Sequence, residues 1–359
     1  MKNIINNYPD GYAEVRNIIT TEHNYIHKKD IFSLGLKLMH KFTGKGYHPF
    51  WKGLFFNPLD SKTSCHFFNT INLGRNPWKV HFETTLPRLG DAPKFVYDVA
   101  IKKLASKNCE QIIALSTCTY KLQIKYLEKN YPQYLEVIKS KMIVQLPPQK
   151  SLIKTYNEKI LSTNKIIFTI VGSDFFRKGG LEVLQVFENL IPSNKELFLN
   201  IVSTMNFGDY ATRTETRHLK RAQNIIEKFP DNIKHFKRLK NDDVLELFKA
   251  SHVGLLPTWA DSFGYSILEA QACGCPVITT DIRAIPEINS NEMGWVITVP
   301  KDEDRNGALA TENERTVFAS TVKKELNQIV LDIIKNKDSI KNKGEKALQN
   351  IKNNHEKNS

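Results

Sequence analysis

Two carboxylates eight positions apart, Asp261 and Glu269, stand in the segment PTWADSFGYSILEAQACGCPVITTD (257–281). The pattern there is strand, loop, helix. The strand ends at Pro257, the loop carries Asp261-Ser262-Phe263-Gly264, and the helix begins near Gly264 with Ser262 placed as its N-cap. A helix N-terminus offers amides that lack an intrahelical acceptor and the positive end of the dipole, which suits a phosphate. Glu269, slightly over a turn inside the helix, suits a ribose diol, as an acidic residue does in dinucleotide folds. Asp261 suits the hydroxyls of a sugar beyond the phosphates. The plainer reading leaves Glu269 facing solvent and Asp261 capping the helix.

A second segment, VGSDFFRKGGLEVL (171–184), repeats the strand, glycine-bearing loop and helix. Gly179 and Gly180 let another backbone or ligand come close, and Arg177 and Lys178 add two cations. It is an anion cradle or a simple surface turn. The Walker pattern is absent, because the Lys precedes the glycines, and so is the G-x-G-x-x-G fingerprint of a nicotinamide site.

The elements that must position these residues follow from hydrophobic periodicity. Apolar runs at 166–172, 197–203, 253–257 and 276–280 read as buried strands, with a further strand at 233–238. Helical spacing falls at 181–190, 224–229, 243–251 and 264–273. Strands alternating with helices predict a doubly wound parallel sheet, a Rossmann-like domain over 151–330. The first half reads less clearly. Strands are expected at 79–84, 111–116 and 142–147, with a helix over 118–129, in a second α/β domain over 1–150. Pro147-Pro148 suits a linker between them. From Val317 a long amphipathic helix runs into a Lys/Asn-rich tail over 331–359 that is expected to fray.

A length of 359 residues suits two such domains, and 41% hydrophobic with 25% charged residues excludes wholesale disorder. The formal net charge is +13, and nearly all of it lies in residues 1–150, where 22 Lys+Arg oppose 11 Asp+Glu. Such an imbalance marks either a surface for an anionic partner or solvated lysines on helix faces. The five cysteines (Cys65, Cys109, Cys118, Cys273 and Cys275) show no C-x-x-C pair, so neither a disulfide framework nor a zinc site is indicated. The N-terminus MKNIINNYPDGYAEV lacks the apolar region of a signal peptide, and the apolar runs are far below the ~18 residues of a membrane span. The expectation is a cytoplasmic protein, with attachment to the inner face of the plasma membrane left open.

Taken together, the two loop segments resemble family 4 of the retaining glycosyltransferases, which have the GT-B fold. The resemblance covers residues 166–288 at least. The family's E-x7-E element stands as Asp261-x7-Glu269, its K-G element as Arg177-Lys178-Gly179-Gly180, and its G-x-P-E segment as IPEI (285–288). The preceding stretch, 234–257, matches the strand, loop, helix and strand that lead into it. The implied architecture is two Rossmann-like doubly wound domains facing one another across a cleft, with a nucleotide diphosphate sugar as donor. In that pattern Asp261 contacts the transferred sugar and Glu269 the ribose. Backbone amides around Ser262, Phe263, Gly264 and Ser266 meet the diphosphate, Lys178 and Arg177 neutralise it, and Leu239 touches the base. No metal and no further cofactor is implied. The one D-x-D triplet, Asp302-Glu303-Asp304, lies in a polar loop and reads as solvated.

Several departures qualify the resemblance. Asp261 is one methylene shorter than the usual Glu. Ser173 stands where many members carry a second Arg, and Arg283-Ala284 replaces a usual Gly-Gly. In the first domain the family's glycine-rich loop is not recognisable. KVHFETTLPR (79–88) best fits its strand end, which puts Glu83 at the position of a catalytic His and leaves His81 two residues earlier. His81 is alternatively a packed strand histidine.

The resemblance implies transfer of a sugar to a hydroxyl with retention of configuration, the leaving phosphate taking the acceptor's proton. A glycan or lipid-linked acceptor at an anionic membrane surface would use the basic first domain, in bacterial surface polysaccharide or lipopolysaccharide assembly. A nucleotide-sugar 2-epimerase of the same fold is the enzymatic rival, against which E-x7-E speaks. A nucleic-acid-binding protein is the other rival. It has the basic charge behind it, but no zinc-finger spacing, RNP-type strand or basic helix repeat, so nucleic acid is not expected as a partner.

Overall fold

The computed structural model describes residues 2–6, 23–28, 30–44, 48–208 and 210–356. Most of the N-terminal stretch read above for a signal peptide, Met1 and 7–15, lies outside these residues, as does the end of the tail, 357–359. The chain divides between Pro148 and Gln149 into two units.

The first unit contains β1 (Lys2–Asn6), β2 (His23–His27), β3 (Leu54–Phe55), β4 (Cys65–Phe68), β5 (Ile71–Asn72), β6 (Trp78–Phe82), β7 (Cys109–Ala114) and β8 (Met142–Val144). Six of them form a parallel sheet in the order β2-β1-β4-β6-β7-β8, while β3 and β5 pair separately. Phe67, Trp78, Val80, Phe82 and Ile112 fill its core, because these strands are apolar on alternate or both faces. The helix Thr117–Asn130 follows β7 and starts where the Ser116 hydroxyl accepts from the Thr119 amide at 2.9 Å.

The second unit contains β9 (Ile166–Val171), β10 (Leu197–Val202), β11 (Ile233–Phe236), β12 (Val253–Leu256), β13 (Val277–Thr280) and β14 (Trp295–Ile297). All pair in parallel, in the order β11-β10-β9-β12-β13-β14. The strand order therefore reverses between β9 and β12, and a ligand in an open α/β sheet binds outside the carboxyl ends of the strands at such a point. Phe168 on β9 meets Phe187 of the helix Gly180–Leu190 edge-to-face, with ring centroids 5.2 Å apart.

The tail does not fray as its composition suggested. Helices Glu312–Lys335 and Asp338–Asn350 run into a wide turn at Ile351–His355. Ile340, Ala347, Leu348 and Ile351 recur at helical spacing and are buried, beside Tyr156 and Gly274. The lysines and asparagines occupy the other face, so a polar average concealed an amphipathic helix. Among the described residues, no helix is long and apolar enough to cross a membrane.

Candidate functional site

Strands β9 and β12 are hydrogen-bonded neighbours, so the loops that follow them, 172–179 and 257–264, leave the same edge of the sheet side by side. Their helices, Gly180–Leu190 and Tyr265–Ala272, diverge from there. The first packs beside Thr216–Lys228 and Glu312–Lys335, and the second beside Asn241–Lys249 and Asp338–Asn350.

The two loops are tied to each other by main chain and side chain. The carbonyl of Arg177 accepts from the Trp259 amide at 2.9 Å and from the Thr258 hydroxyl at 3.0 Å. The Arg177 guanidinium donates to the carbonyl of Ala260 and, through Nε, to Asp174 at 2.8 Å. Arg177 is therefore a brace between the loops as well as a local positive charge. Gly179 adopts φ +80° with its α-carbon against the carbonyl of Pro257, where a Cβ would overlap that oxygen. Only glycine meets both demands.

At the junction, Lys178 Nζ is ion-paired with the Asp261 carboxylate, and the two side chains are only 16% and 11% exposed. Burial by itself would push the Asp261 carboxyl up. The Lys178 ammonium, with Arg177 nearby and the Phe263 amide donating, outweighs this and holds it below the usual carboxylate range. The site thus carries a fixed charge pair at the mouth of the sheet.

The helix after β12 starts at Tyr265, with Gly264 as its N-cap at φ +92° and no side-chain cap. This overturns the placement of Ser262 as N-cap. The left-handed turn at Gly264 delays helix entry by two residues and leaves Ser262 in the loop. The first-turn amides around Tyr265 and Ser266 head the helix at the positive end of its dipole. Glu269 lies in the second turn and is only 5% exposed, which removes the reading of it as a solvent-facing carboxylate. Phe263 is buried and packs on Tyr265, fixing the loop from beneath. Leu239, half-buried, stands in the loop after β11, at the same edge of the sheet but two strands further out. Arg283 takes φ +49° just before the short helix Ile285–Ile288, the conformation that a glycine adopts without cost.

The first-unit candidates part company. His81 is buried, its Nδ1 2.6 Å from His66 Nε2, and its own Nε2 has no partner. Burial first, and then His66 and Lys79, hold its imidazole well below its ordinary pKa. It is a packed strand histidine. Glu83, at the end of β6, is partly exposed and pairs with Arg88 at 3.2 Å. The Asn69 amide group also donates to its carboxylate at 3.4 Å. Sequence reasoning passed over Asn69 and His66. A signal existed for Asn69, since Asn tolerates the left-handed φ of +55° that ends β4. Among the described residues, no three His, Cys, Asp or Glu side chains are grouped to hold a metal ion. Asp302 instead accepts from the amides of Asp304 and Asn306, closing a surface turn.

A model of the family described as glycosyl transferases group 1 matches residues 153–350. A Klebsiella pneumoniae protein described as an uncharacterized 41.2 kDa protein in the cps region is 24% identical over 233 residues, covering 65% of this chain and 59% of that one. A D-inositol 3-phosphate glycosyltransferase of Rhodococcus erythropolis is 35% identical over 65 residues, covering 18% of this chain and 15% of its own length. The match therefore spans less than two thirds of either relative. Among solved structures, a glycosyltransferase from Rickettsia africae superposes with a TM-score of 0.58 at 15% identity, covering 99% of this chain and 94% of that one. The Anabaena protein HepE, solved in complex with UDP, gives 0.59 at 13% identity, covering 99% and 96%. Identities this low speak to fold alone, and the fold is GT-B, with two Rossmann-like α/β units.

Proposed function

Because this chain belongs to the glycosyl transferases group 1 family, we propose that it is a retaining, metal-independent glycosyltransferase. In this reading it moves a sugar from a nucleoside diphosphate donor to a hydroxyl of a glycan or lipid-linked acceptor. The observation that carries it is the junction of the two loops in the second unit, where a buried Lys178–Asp261 pair lies before a helix N-terminus with Glu269 buried behind.

In the proposed mechanism the donor diphosphate lies over the first-turn amides of the helix at Tyr265, with Lys178 alongside. Glu269 holds the ribose hydroxyls, Asp261 the hydroxyls of the transferred sugar, and the backbone at Leu239 the base. Charge develops on the leaving diphosphate as the glycosidic bond breaks. The first-turn amides, and Lys178 held beside them by Asp261, would stabilise that charge with little reorganisation. A phosphate oxygen of the leaving group takes the acceptor's proton, and no separate base is required. Arg177 acts mainly by holding the loops in register. Glu83 belongs to the acceptor side. That HepE was solved with UDP makes UDP-sugars the first donors to test. Alanine at Glu269 is expected to abolish most donor turnover in a nucleotide-release assay, and near-normal turnover would remove the assignment.

The acceptor context is bacterial surface polysaccharide assembly at a cytoplasmic membrane face, supported by the cps-region relative. Ile31, Leu34, Leu38 and Phe42 are 48%, 49%, 58% and 81% exposed along one face of the helix Ile31–Thr43, within the unit that carries the charge surplus. An apolar stripe with Lys37 and Lys41 beside it suits an anionic lipid surface. Flotation with acidic liposomes at low salt should carry the protein upward, and its staying at the bottom would count against this location.

A further inference from the structure

The charged side chains on the loops 172–179 and 257–264 cancel. Arg177 and Lys178 stand against Asp174 and Asp261. The Arg177 guanidinium is committed to Asp174 and to the carbonyl of Ala260, and Lys178 is paired with Asp261. Amides at the helix start and one paired ammonium offset only part of the charge of a diphosphate. The remainder has to come from elsewhere along the carboxyl edge of the sheet.

The neighbouring loops differ sharply in what they offer. The stretch 203–212 after β10 contains no Lys or Arg. Arg283 after β13 reaches Asn306 at 3.3 Å, on the far side of β12 from Leu239. The loop after β11 carries Lys237, Arg238 and Lys240, all exposed. Among the described residues, none of these three side chains has an ion-pair or hydrogen-bond partner, although Asp242 and Asp243 follow in the next first turn. Lysines along an edge strand guard it against pairing with other chains. These three cations come after Phe236, the last residue of β11, and so do not guard its ladder.

The ends of β11, β10 and β9 are level, with Phe236, Val202 and Val171 as register partners. The Ser203 amide donates to the Phe236 carbonyl at 3.0 Å, and the Gly172 amide to the Val202 carbonyl at 3.0 Å. His235 Nε2 lies 2.8 Å from the Ser203 carbonyl. The Thr204 hydroxyl and the Asn206 amide both donate to the Ser173 carbonyl at 3.2 Å. The three loops therefore start from one hydrogen-bonded rim. At ~4.8 Å between strands, the loop after β11 begins about 10 Å from the loop that carries Lys178. A nucleoside with its first phosphate spans such a distance.

We propose, resting on the donor reading above, that Arg238 binds the α-phosphate of the nucleotide and supplies charge that the loops 172–179 and 257–264 lack. Leu239 meets the base through its backbone in that reading, so the α-phosphate is the first anionic group within reach of the preceding side chain. A guanidinium fork fits two phosphate oxygens. Lys237 and Lys240 add to the local field without touching the ligand.

The test is calorimetric titration of the full chain with uridine, guanosine, adenosine, cytidine and thymidine diphosphates, then with the monophosphate of the base that binds. Arg238→Gln should weaken the diphosphate and the monophosphate by the same factor, about ten-fold, as expected for loss of a charge-assisted contact. Arg238→Lys should recover part of the loss. Lys237→Gln and Lys240→Gln should each change affinity by no more than about two-fold, as exposed charges acting at a distance do. All four side chains introduced are exposed, so the ligand-free melting temperature should not move. Unchanged affinity in Arg238→Gln would overturn the proposal. So would equal losses in all three glutamine variants, or a loss confined to the diphosphate. A chain that binds no nucleoside diphosphate would remove the donor reading and this contact with it. Binding that survives Arg238→Gln but is lost in Lys178→Met/Asp261→Leu would remove this contact alone.

Discussion

The two parallel sheets present their carboxylates differently. In the second unit Asp261 stands at the strand-order reversal, buried against Lys178, on a loop tied to its neighbour through Arg177, Thr258 and Trp259. In the first unit Glu83 follows β6, away from the reversal between β1 and β4, and its partner Arg88 is 44% exposed. One carboxylate is fixed by its surroundings, and the other is paired in a way that water can replace. Under the proposed function a diphosphate donor gains from the first arrangement, because preorganised charge needs no rearrangement as the bond breaks. An acceptor site can tolerate the second.

The contrast can be broken at several points. The largest effect is expected for Lys178→Ala. It should lower donor turnover by about 10²–10³ if the ammonium serves as an oxyanion-type donor. It should also destabilise the fold by roughly 3 kcal/mol, because Asp261 is left buried and unpaired. The double variant Lys178→Met/Asp261→Leu should be more stable than the single Lys178→Ala in urea denaturation. If it is not, the pair is not buried in the energetic sense.

Gly179→Ala comes next. A Cβ at φ +80° against Pro257 should cost about 2 kcal/mol or more and loosen both loops, read as a lower urea midpoint with unchanged slope.

The Glu182 carboxyl sharpens the comparison through pH. Its folded-state pKa of about 7 lies above its ordinary value of 4.5, so between these the folded chain binds more protons than the unfolded one. Stability should fall as pH rises through that window and level off above it. Glu182→Gln should flatten this slope and, above pH 7, stabilise by up to about 3 kcal/mol, since the folded pKa stands about 2.5 above the ordinary value and each unit corresponds to ~1.4 kcal/mol. An unchanged slope in parallel melts at pH 5 and pH 8 would show that the carboxyl is not buried as described.

The smallest effect is expected at Glu83. Because Arg88 is largely exposed, Glu83→Ala should shift stability by no more than about 1 kcal/mol. It should raise the acceptor KM while leaving nucleotide affinity within about two-fold. A large loss of nucleotide affinity would erase the distinction between the two units.

How far the sequence could be read follows the same division. The strands β12 and β13 are buried on both faces, and β9 and β10 on one face with the other partly buried, so their apolar runs stand out, and the motifs lie directly after two of them. β4 is Cys-His-Phe-Phe and β3 and β5 have two residues each, too short and too mixed to show a period. The bond between His66 and His81 joins neighbouring strands, which no local pattern records. Ser262 has the right chemistry for a cap, yet the positive φ at Gly264 decides where the helix begins. Helical spacing over 181–190 gives no sign that Glu182 is buried. The helix carrying it is buried on nearly every side, and only the packing of Glu312–Lys335 reveals that.

The cross-ties between the loops after β9 and β12 also bear on how the protein folds. Lys178 and Asp261 are 83 positions apart, as are Arg177 and Ala260, and β9 must wait for two intervening strands before it meets β12. Contacts this distant along the chain form only after the entropy of closing a long loop has been overcome. The charge pair cannot form before β9 meets β12, so it is absent from every intermediate that lacks that pairing. During synthesis, the ribosome must release the whole of β12 and its loop before the site can appear at all.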